Sequence, residues 1–222
     1  MFSHGYTNET TAVGTDLVTK TYGGTDAAER RSSESACLVS LADHLPVPHI
    51  VAEGRDITTL MQRLPGRHGQ ELIDNGDGYA VMHAAGVLLQ RLQALPHRVI
   101  QPPLSGDGEV LVHGDYGPQN MLLDQHHRVT GLLDWEFAHR GSATEDVAWA
   151  EWIVRMHHPT HLAVVDGFFA GFGSRPPWPG RQAFMVERCQ QLRDRCLVQR
   201  QPTDADLWEE RSHITAGWQQ AV

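Results

Sequence analysis

Apolar residues in this chain change their spacing once, near residue 64, and the change divides the sequence into two unlike parts. Ahead of it they alternate in short runs. DLVTKTY sets Asp16, Val18, Lys20 and Tyr22 on one face of a strand. HIVAEG and DITTLMQRL read as two more strands, turning at Glu53–Asp56. Beyond it the spacing is helical: in AVMHAAGVLLQRLQAL, Val81, Ala85, Leu88, Leu92 and Leu95 share one helix face. The first kind of segment buries alternate residues in a sheet, the second a stripe along a helix. The reading is therefore an α+β chain of two lobes: a small β-rich lobe over 1–64 and a larger, mostly helical lobe over 65–222.

The small lobe carries one helix. Asp26 followed by Glu29 reads as a capping box that opens it, and the helix is expected to run to about Asp43. Its apolar stripe is Cys37, Leu38, Leu41 and Leu45. Glu34 precedes Cys37 and Leu38 by three and four positions, so it lies on the inward stripe. A carboxylate there needs a partner, because an unpaired buried charge is costly. LPVP is a stiff extended connector, and LPGRHG is a loop.

The helical half is interrupted by LVHGDYGPQNMLLDQHHRVTGLLDWE, residues 111–136. If MLLD and RVTGLLD pair through QHH, Asn120 and Asp134 meet at the open end of a hairpin. Two hard oxygen donors of that kind suit a magnesium ion. Asp115, five positions before Asn120, would face the same cleft and could take a proton from a hydroxyl. Glu136 could approach the metal or lie in solvent. Downstream, Ser142 and Glu145 form a second capping box, and Trp149, Trp152, Ile153 and Met156 make an apolar face. HLAVVDGFFAGF and FMVERCQQLRDRCLV read as helices, the latter with Cys189 and Cys196 in the core. A last helix holds Leu207, Trp208 and Ile214.

Composition enters at one point sharply. Of 18 lysines and arginines, Lys20 is the sole lysine. A chain that uses arginine everywhere else marks that position as one needing a compact ammonium. The net charge of -9 argues against nucleic-acid binding and suits a cationic small substrate. Three scattered cysteines make neither a disulfide framework nor a zinc knuckle. With no apolar run of spanning length and no signal-like start, no membrane is expected, and the cytoplasm is. His126–His127 and the cluster His157, His158 and His161 read as solvated rather than metal-binding.

HGDYGPQNMLLD followed by GLLDWEFAHRG resembles the aminoglycoside phosphotransferase and choline kinase family, within the protein-kinase-like fold. The resemblance implies Asp115 as catalytic base and Asn120 and Asp134 as Mg2+ ligands, with His113 structural in the catalytic loop. Asp146, in GSATEDVAW, would brace that loop. GYTNET, with Tyr6, Thr7 and Asn8, looks like the loop covering the nucleotide phosphates. Lys20 matches the lysine that contacts those phosphates, and Glu34 the helix glutamate that pairs with it. LMQRLPG resembles the linker between lobes, whose backbone at Met61, Gln62 and Arg63 would face the adenine.

The function so implied is transfer of the γ-phosphate of ATP or GTP to a hydroxyl of a small, cationic molecule such as an aminoglycoside-like antibiotic. The alternatives are a metabolite kinase acting on an amino alcohol or sugar, and a catalytically inactive nucleotide-binding module. The sequence departs from the family in three places. The family's strand ahead of the phosphate-covering loop is not expected from the few residues before GYTNET. The stretch between Leu95 and His113 is short, so the acceptor pocket would be shallow, or completed by the C-terminal helices or by a second copy in a homodimer. The segment from Asp134 to Asp146 is too short for a peptide-docking activation loop, which favours a small-molecule acceptor. The acidic residues Glu145, Glu151, Asp194, Asp204 and Asp206 are candidates for contacting a cation.

Overall fold

The computed structural model describes residues 8–54 and 57–220. Its small lobe is an antiparallel sheet of four strands, β1 (Asn8–Val13), β2 (Leu17–Tyr22), β3 (Ile50–Glu53) and β4 (Thr58–Gln62), in the order β1-β2-β4-β3. Lys20 lies between Thr10 of β1 and Thr59 of β4. Lys20 and Tyr22 are buried while Thr21 between them is exposed, which is the alternation expected of the strand. Helix α1 (Ala27–Leu41) connects β2 to β3 and packs Cys37, Leu38 and Leu41 inward.

The capping box expected at the start of α1 does not form. The Asp26 side chain caps no backbone N–H. Its carboxylate instead takes Arg30 Nε at 2.9 Å and Arg195 Nη2 at 2.6 Å. Two charge-assisted bonds outweigh one bond from a neutral amide. The helix also stops at Leu41, short of Asp43.

The larger lobe opens with β5 (Arg67–His68), α2 (Gly69–Leu72) and α3 (Gly78–Ala94). The expected loop LPGRHG thus holds a short strand. It pairs with β7 (Met121–Leu123), which pairs in turn with β8 (Val129–Leu132), giving the sheet β5-β7-β8. Gly66 permits this: its φ is +135°, and a Cβ there would sit 2.9 Å from the Leu123 carbonyl oxygen. Strand β6 (Val110–Val112) pairs with β9 (His139–Gly141). Helices α4 (Thr144–His157), α5 (Val165–Phe172), α6 (Trp178–Val198) and α7 (Pro202–Ala216) complete the lobe. The second capping box forms just ahead of α4, where Glu145 accepts Ser142 N–H at 2.6 Å and Ser142 Oγ accepts Thr144 N–H at 3.3 Å.

One apolar core runs through both lobes, from Leu38, Leu41 and Met61 to Leu89, Leu132 and Trp135. The connector joins them directly, since Leu132 N–H donates to the Pro46 carbonyl at 2.7 Å. A second cluster holds Trp149, Trp152, Met185 and Cys189 under Trp208. Cys196, expected in the core, is half-buried near the end of α6. His158, expected in solvent, is buried, with Nδ1 2.8 Å from Asp74 Oδ1. That carboxylate lies 84 positions upstream, so no local pattern announces it. No helix among the described residues is long and apolar enough to cross a membrane.

Candidate functional site

Lys20 and Glu34, the two residues singled out from separate elements, are bonded at 2.6 Å. Both are almost fully buried, at 7% and 2% of their accessible surface. Glu34 also accepts the Tyr22 hydroxyl at 2.6 Å and the Trp135 N–H at 3.2 Å. Lys20 further reaches Asp134 Oδ1 at 2.5 Å, which links the small sheet to the hairpin of the large lobe. Burial alone would pull the Lys20 ammonium down, but Asp134 and Glu34 more than offset it and hold the group well above its usual range. Burial would likewise raise Asp134, yet Lys20 keeps it below the usual carboxylate value.

The hairpin ends where the spacing requires. Leu133 N–H donates to the Asn120 carbonyl at 2.8 Å, and Asp134 follows in a left-handed conformation at φ +66°. Asn120 Nδ2 donates to Asp115 Oδ2 at 2.8 Å and to the Asp115 carbonyl at 2.9 Å. Asp115 Oδ1 accepts the Trp149 indole N–H at 2.8 Å. Burial, and then the charge of Asp134, push the Asp115 carboxyl up to about 6. The bonds from Trp149 and Asn120 and the charge of Arg188 oppose the rise.

The loop before Asp115 is held from behind. Asp146 accepts the N–H of His113 at 2.7 Å and of Gly114 at 3.0 Å. Burial pushes the Asp146 carboxyl up to about 7, against those two bonds. Burial pushes the His113 imidazole down to about 4, so it is neutral at pH 7. Neutral His113 donates from Nε2 to the Leu133 carbonyl at 2.9 Å and accepts Asp115 N–H on Nδ1 at 3.2 Å.

Other expected residues fall differently. Tyr6 and Thr7 lie outside the described residues. Asn8 donates to Glu136 Oε2 at 2.7 Å and accepts Arg30 Nη1 at 3.0 Å. Arg30 also pairs directly with Glu136, and both are buried. Glu136 is thus a cross-lobe anchor and not a solvated side chain. Met61 is buried in β4. The N–H groups of Gln62 and Arg63 are taken by the His49 and Asp16 carbonyls, each at 2.8 Å. Glu151 is buried between Arg155 and Arg181, at 2.9 and 2.7 Å, and so is unavailable to a substrate cation. Asp194 pairs with Arg193 at 2.8 Å.

The oxygen donors of Asn120 and Asp134 fit a hard divalent ion. Asn120 turns its Nδ2 toward Asp115 and keeps its side-chain oxygen available, and Asp134 has one oxygen beyond that held by Lys20. No cluster of three or more His, Cys, Asp or Glu side chains suited to a metal occurs among the described residues. Other metal ligands would come from nucleotide and water.

The sequence profile of the phosphotransferase enzyme family known as APH matches residues 1–109 and 100–184. The chain belongs to the APH family. No curated protein matches it. Among solved structures, the GDP complex of wild-type aminoglycoside 2'-phosphotransferase-IIIa superposes with a TM-score of 0.74 at 13% identity, covering 97% of this chain and 91% of that one. Aminoglycoside phosphotransferase APH(4)-Ia superposes at 0.70 and 18% identity, covering 98% and 93%. The GDP and kanamycin complex of APH(2")-IIia superposes at 0.69 and 13% identity, covering 96% and 92%. At these identities the likeness establishes the kinase-like fold. The APH family is one of phosphotransferase enzymes.

Two single residues of this site, and one ion pair, are not legible in their roles from sequence. Trp149 was read only as apolar, although it follows Asp146 by one helical turn on the same face of α4. Arg30 and Glu136 meet across 106 positions. Arg188, from α6, donates to the Gly114 carbonyl at 3.0 Å across 74 positions. The last two carry no local signal.

Proposed function

We propose that this chain transfers the γ-phosphate of ATP, or of GTP, to a hydroxyl of a small molecule in a magnesium-dependent reaction. The observation that carries the reading is the buried Lys20, bonded at once to Glu34 and to Asp134. A lysine so held presents a fixed positive charge where phosphate oxygens would lie. Asp115 would accept the acceptor's proton as its oxygen attacks the γ-phosphorus. The bond from that phosphorus to the bridging oxygen breaks, and the nucleoside diphosphate leaves. Asn120 and Asp134 would hold the metal, which when bound neutralises charge on the phosphates. Asp146 and His113 would keep the loop around Asp115 in place. The bonds from Asn120 and Trp149 leave Asp115 oriented by two neighbours, which favours positioning as the main source of catalysis.

Thermal stabilisation by ATP with magnesium tests nucleotide binding. Stabilisation by neither ATP nor GTP overturns the reading, and an inert module that binds nucleotide would show the shift without phosphate transfer. Asp115→Asn should lower transfer by about 100-fold or more while the nucleotide-dependent shift persists. Retained turnover would remove Asp115 from the role of base.

A further inference from the structure

A cavity of about 530 Å³ lies against the loop that carries Asp115, between the start of α4 and the face of α6. Gly114, Glu145, Trp149, Phe184, Glu187 and Arg188 line it. Its volume suits a small organic molecule. It shares a wall with Asp115, because Gly114 is the preceding residue and Trp149 is bonded to the Asp115 carboxylate. On the reading of Asp115 as base, this is where an acceptor would sit.

The charges in the wall are not equivalent. Glu145 is engaged by His139 at 2.9 Å and by Ser142 N–H at 2.6 Å. Asp146 is committed to the two backbone N–H groups of the loop. Glu187 stands exposed and accepts Gln191 Nε2 at 3.2 Å. Arg188 is half-buried, with Nη2 on the Gly114 carbonyl at 3.0 Å and Nη1 3.5 Å from Gln191. Its guanidinium lies over the rings of Phe137 and Trp149 at 5.9 and 6.0 Å. Its hydrogen bonds are to a carbonyl and an amide oxygen, while the carboxylates of Asp115, Glu145 and Asp146 act on it through charge without a direct bond among the described residues. Its neighbours Arg181 and Arg195 each hold a carboxylate, of Glu151 and Asp26. Arg188 is therefore a partly desolvated cation with fixed carbonyl and ring contacts, facing the cavity with donors to spare.

We propose that Arg188 is a specificity-determining residue that selects acceptors carrying an anionic oxyacid group, carboxylate or phosphate, near the reacting hydroxyl. The proposal rests on the phosphotransferase reading above. A planar guanidinium pairs with such groups through two parallel bonds, and the anion's oxygens replace water contacts that a partly desolvated guanidinium has lost. The wall holds Arg188 on the side of Gly114, so the anionic group binds beside the base and the hydroxyl is presented to it. A polycation would meet a like charge there. Glu187 adds room for a positive group at the open side of the cavity, as in a hydroxylated amino acid. The chain's acidic balance points to a cationic acceptor, but the wall beside Gly114 sets the Arg188 guanidinium among the carboxylates of Glu145, Asp146 and Glu187, the first two of which are already engaged.

The test measures nucleotide-dependent phosphorylation of glycerate, glycerol phosphate and threonine, with glycerol as the neutral comparison and kanamycin as the polycation. Wild-type protein is expected to prefer at least one anionic probe over glycerol. Arg188→Ala should lower that ratio of kcat/KM by about ten- to a hundred-fold, chiefly through KM, and Arg188→Lys should restore part of it. An equal loss on anionic and neutral probes would mean that Arg188 only positions the loop, and overturns the proposal. So would turnover of kanamycin alone, or nucleotide binding with neither binding nor turnover of any anionic probe. Those outcomes leave the kinase reading standing; absence of nucleotide binding removes both.

Discussion

Replacing Glu136 with alanine should destabilise the protein far more than an ordinary surface substitution. The Glu136 and Arg30 side chains retain only 4% and 5% of their accessible surface, and they join α1 to the segment just after Asp134. Removing one member of a buried ion pair costs about 3–5 kcal/mol, because the other charge stays buried. Here the lower figure applies. Arg30 keeps Asp26 at 2.9 Å, Asn8 Oδ1 at 3.0 Å and the Gly23 carbonyl. A loss of about 3 kcal/mol in a protein of this size lowers the melting temperature by roughly 6–12 °C. Urea denaturation of wild type, Glu136→Ala, Arg30→Met and the double variant closes a thermodynamic cycle. The double variant should be more stable than either single one, since it leaves no orphaned charge. A cost below about 1 kcal/mol for Glu136→Ala, with additive effects in the cycle, would mean a solvated pair and would refute the argument.

Two further predictions concern stability. Gly86→Ala should cost about 1–3 kcal/mol or more by chemical denaturation, because its Cβ would fall 2.1 Å from the Phe168 carbonyl oxygen and 2.6 Å from Phe172 N, both backbone atoms of α5. Gly180→Ala, with nothing within 4 Å in α6, is the matched control and should be neutral or stabilising. His113 supplies a pH dependence. Its folded value of about 4 lies below the ordinary 6.5, so the unfolded chain binds the extra proton between them. Its stabilising share is complete above pH 6.5 and is lost as pH falls toward 4, by about 3 kcal/mol. Asp115 and Asp146, raised by burial, contribute with the opposite sign over a similar range, so the comparison must be with His113→Asn. The gap between the two proteins should narrow steadily from pH 6.5 to 4; a constant gap would show that His113 is not a buried neutral imidazole.

Local features of the sequence were legible because their causes are local. Alternation along β2 put Lys20 on one face with Val18 and Tyr22, composition singled it out, and the helical period of α1 put Glu34 on the inward stripe. The hairpin of β7 and β8 was visible as two apolar runs around a polar tip. Where a carboxylate is legible only by its local pattern, a distant arginine joins its partners. Asp26 reads as a cap, but Arg30 on the next turn and Arg195, 169 positions away, share its carboxylate. Glu151 is in sequence one of several acidic candidates for contacting a cation, yet Arg155 and Arg181, the latter 30 positions on, bury it.

The sequence by itself determined the two kinds of lobe, the inward faces of their elements, and the order of Lys20, Glu34, Asp115, Asn120 and Asp134 along the chain. Those follow from backbone periodicity, which each residue shares with its neighbours. Only the tertiary structure decided what surrounds that set. It brought Arg30 to Glu136, Trp149 to Asp115, and Arg188 to the wall beside Gly114. The reason is that buried charges and hydrogen-bonding groups must find partners wherever packing delivers them, and packing joins residues that no local period relates.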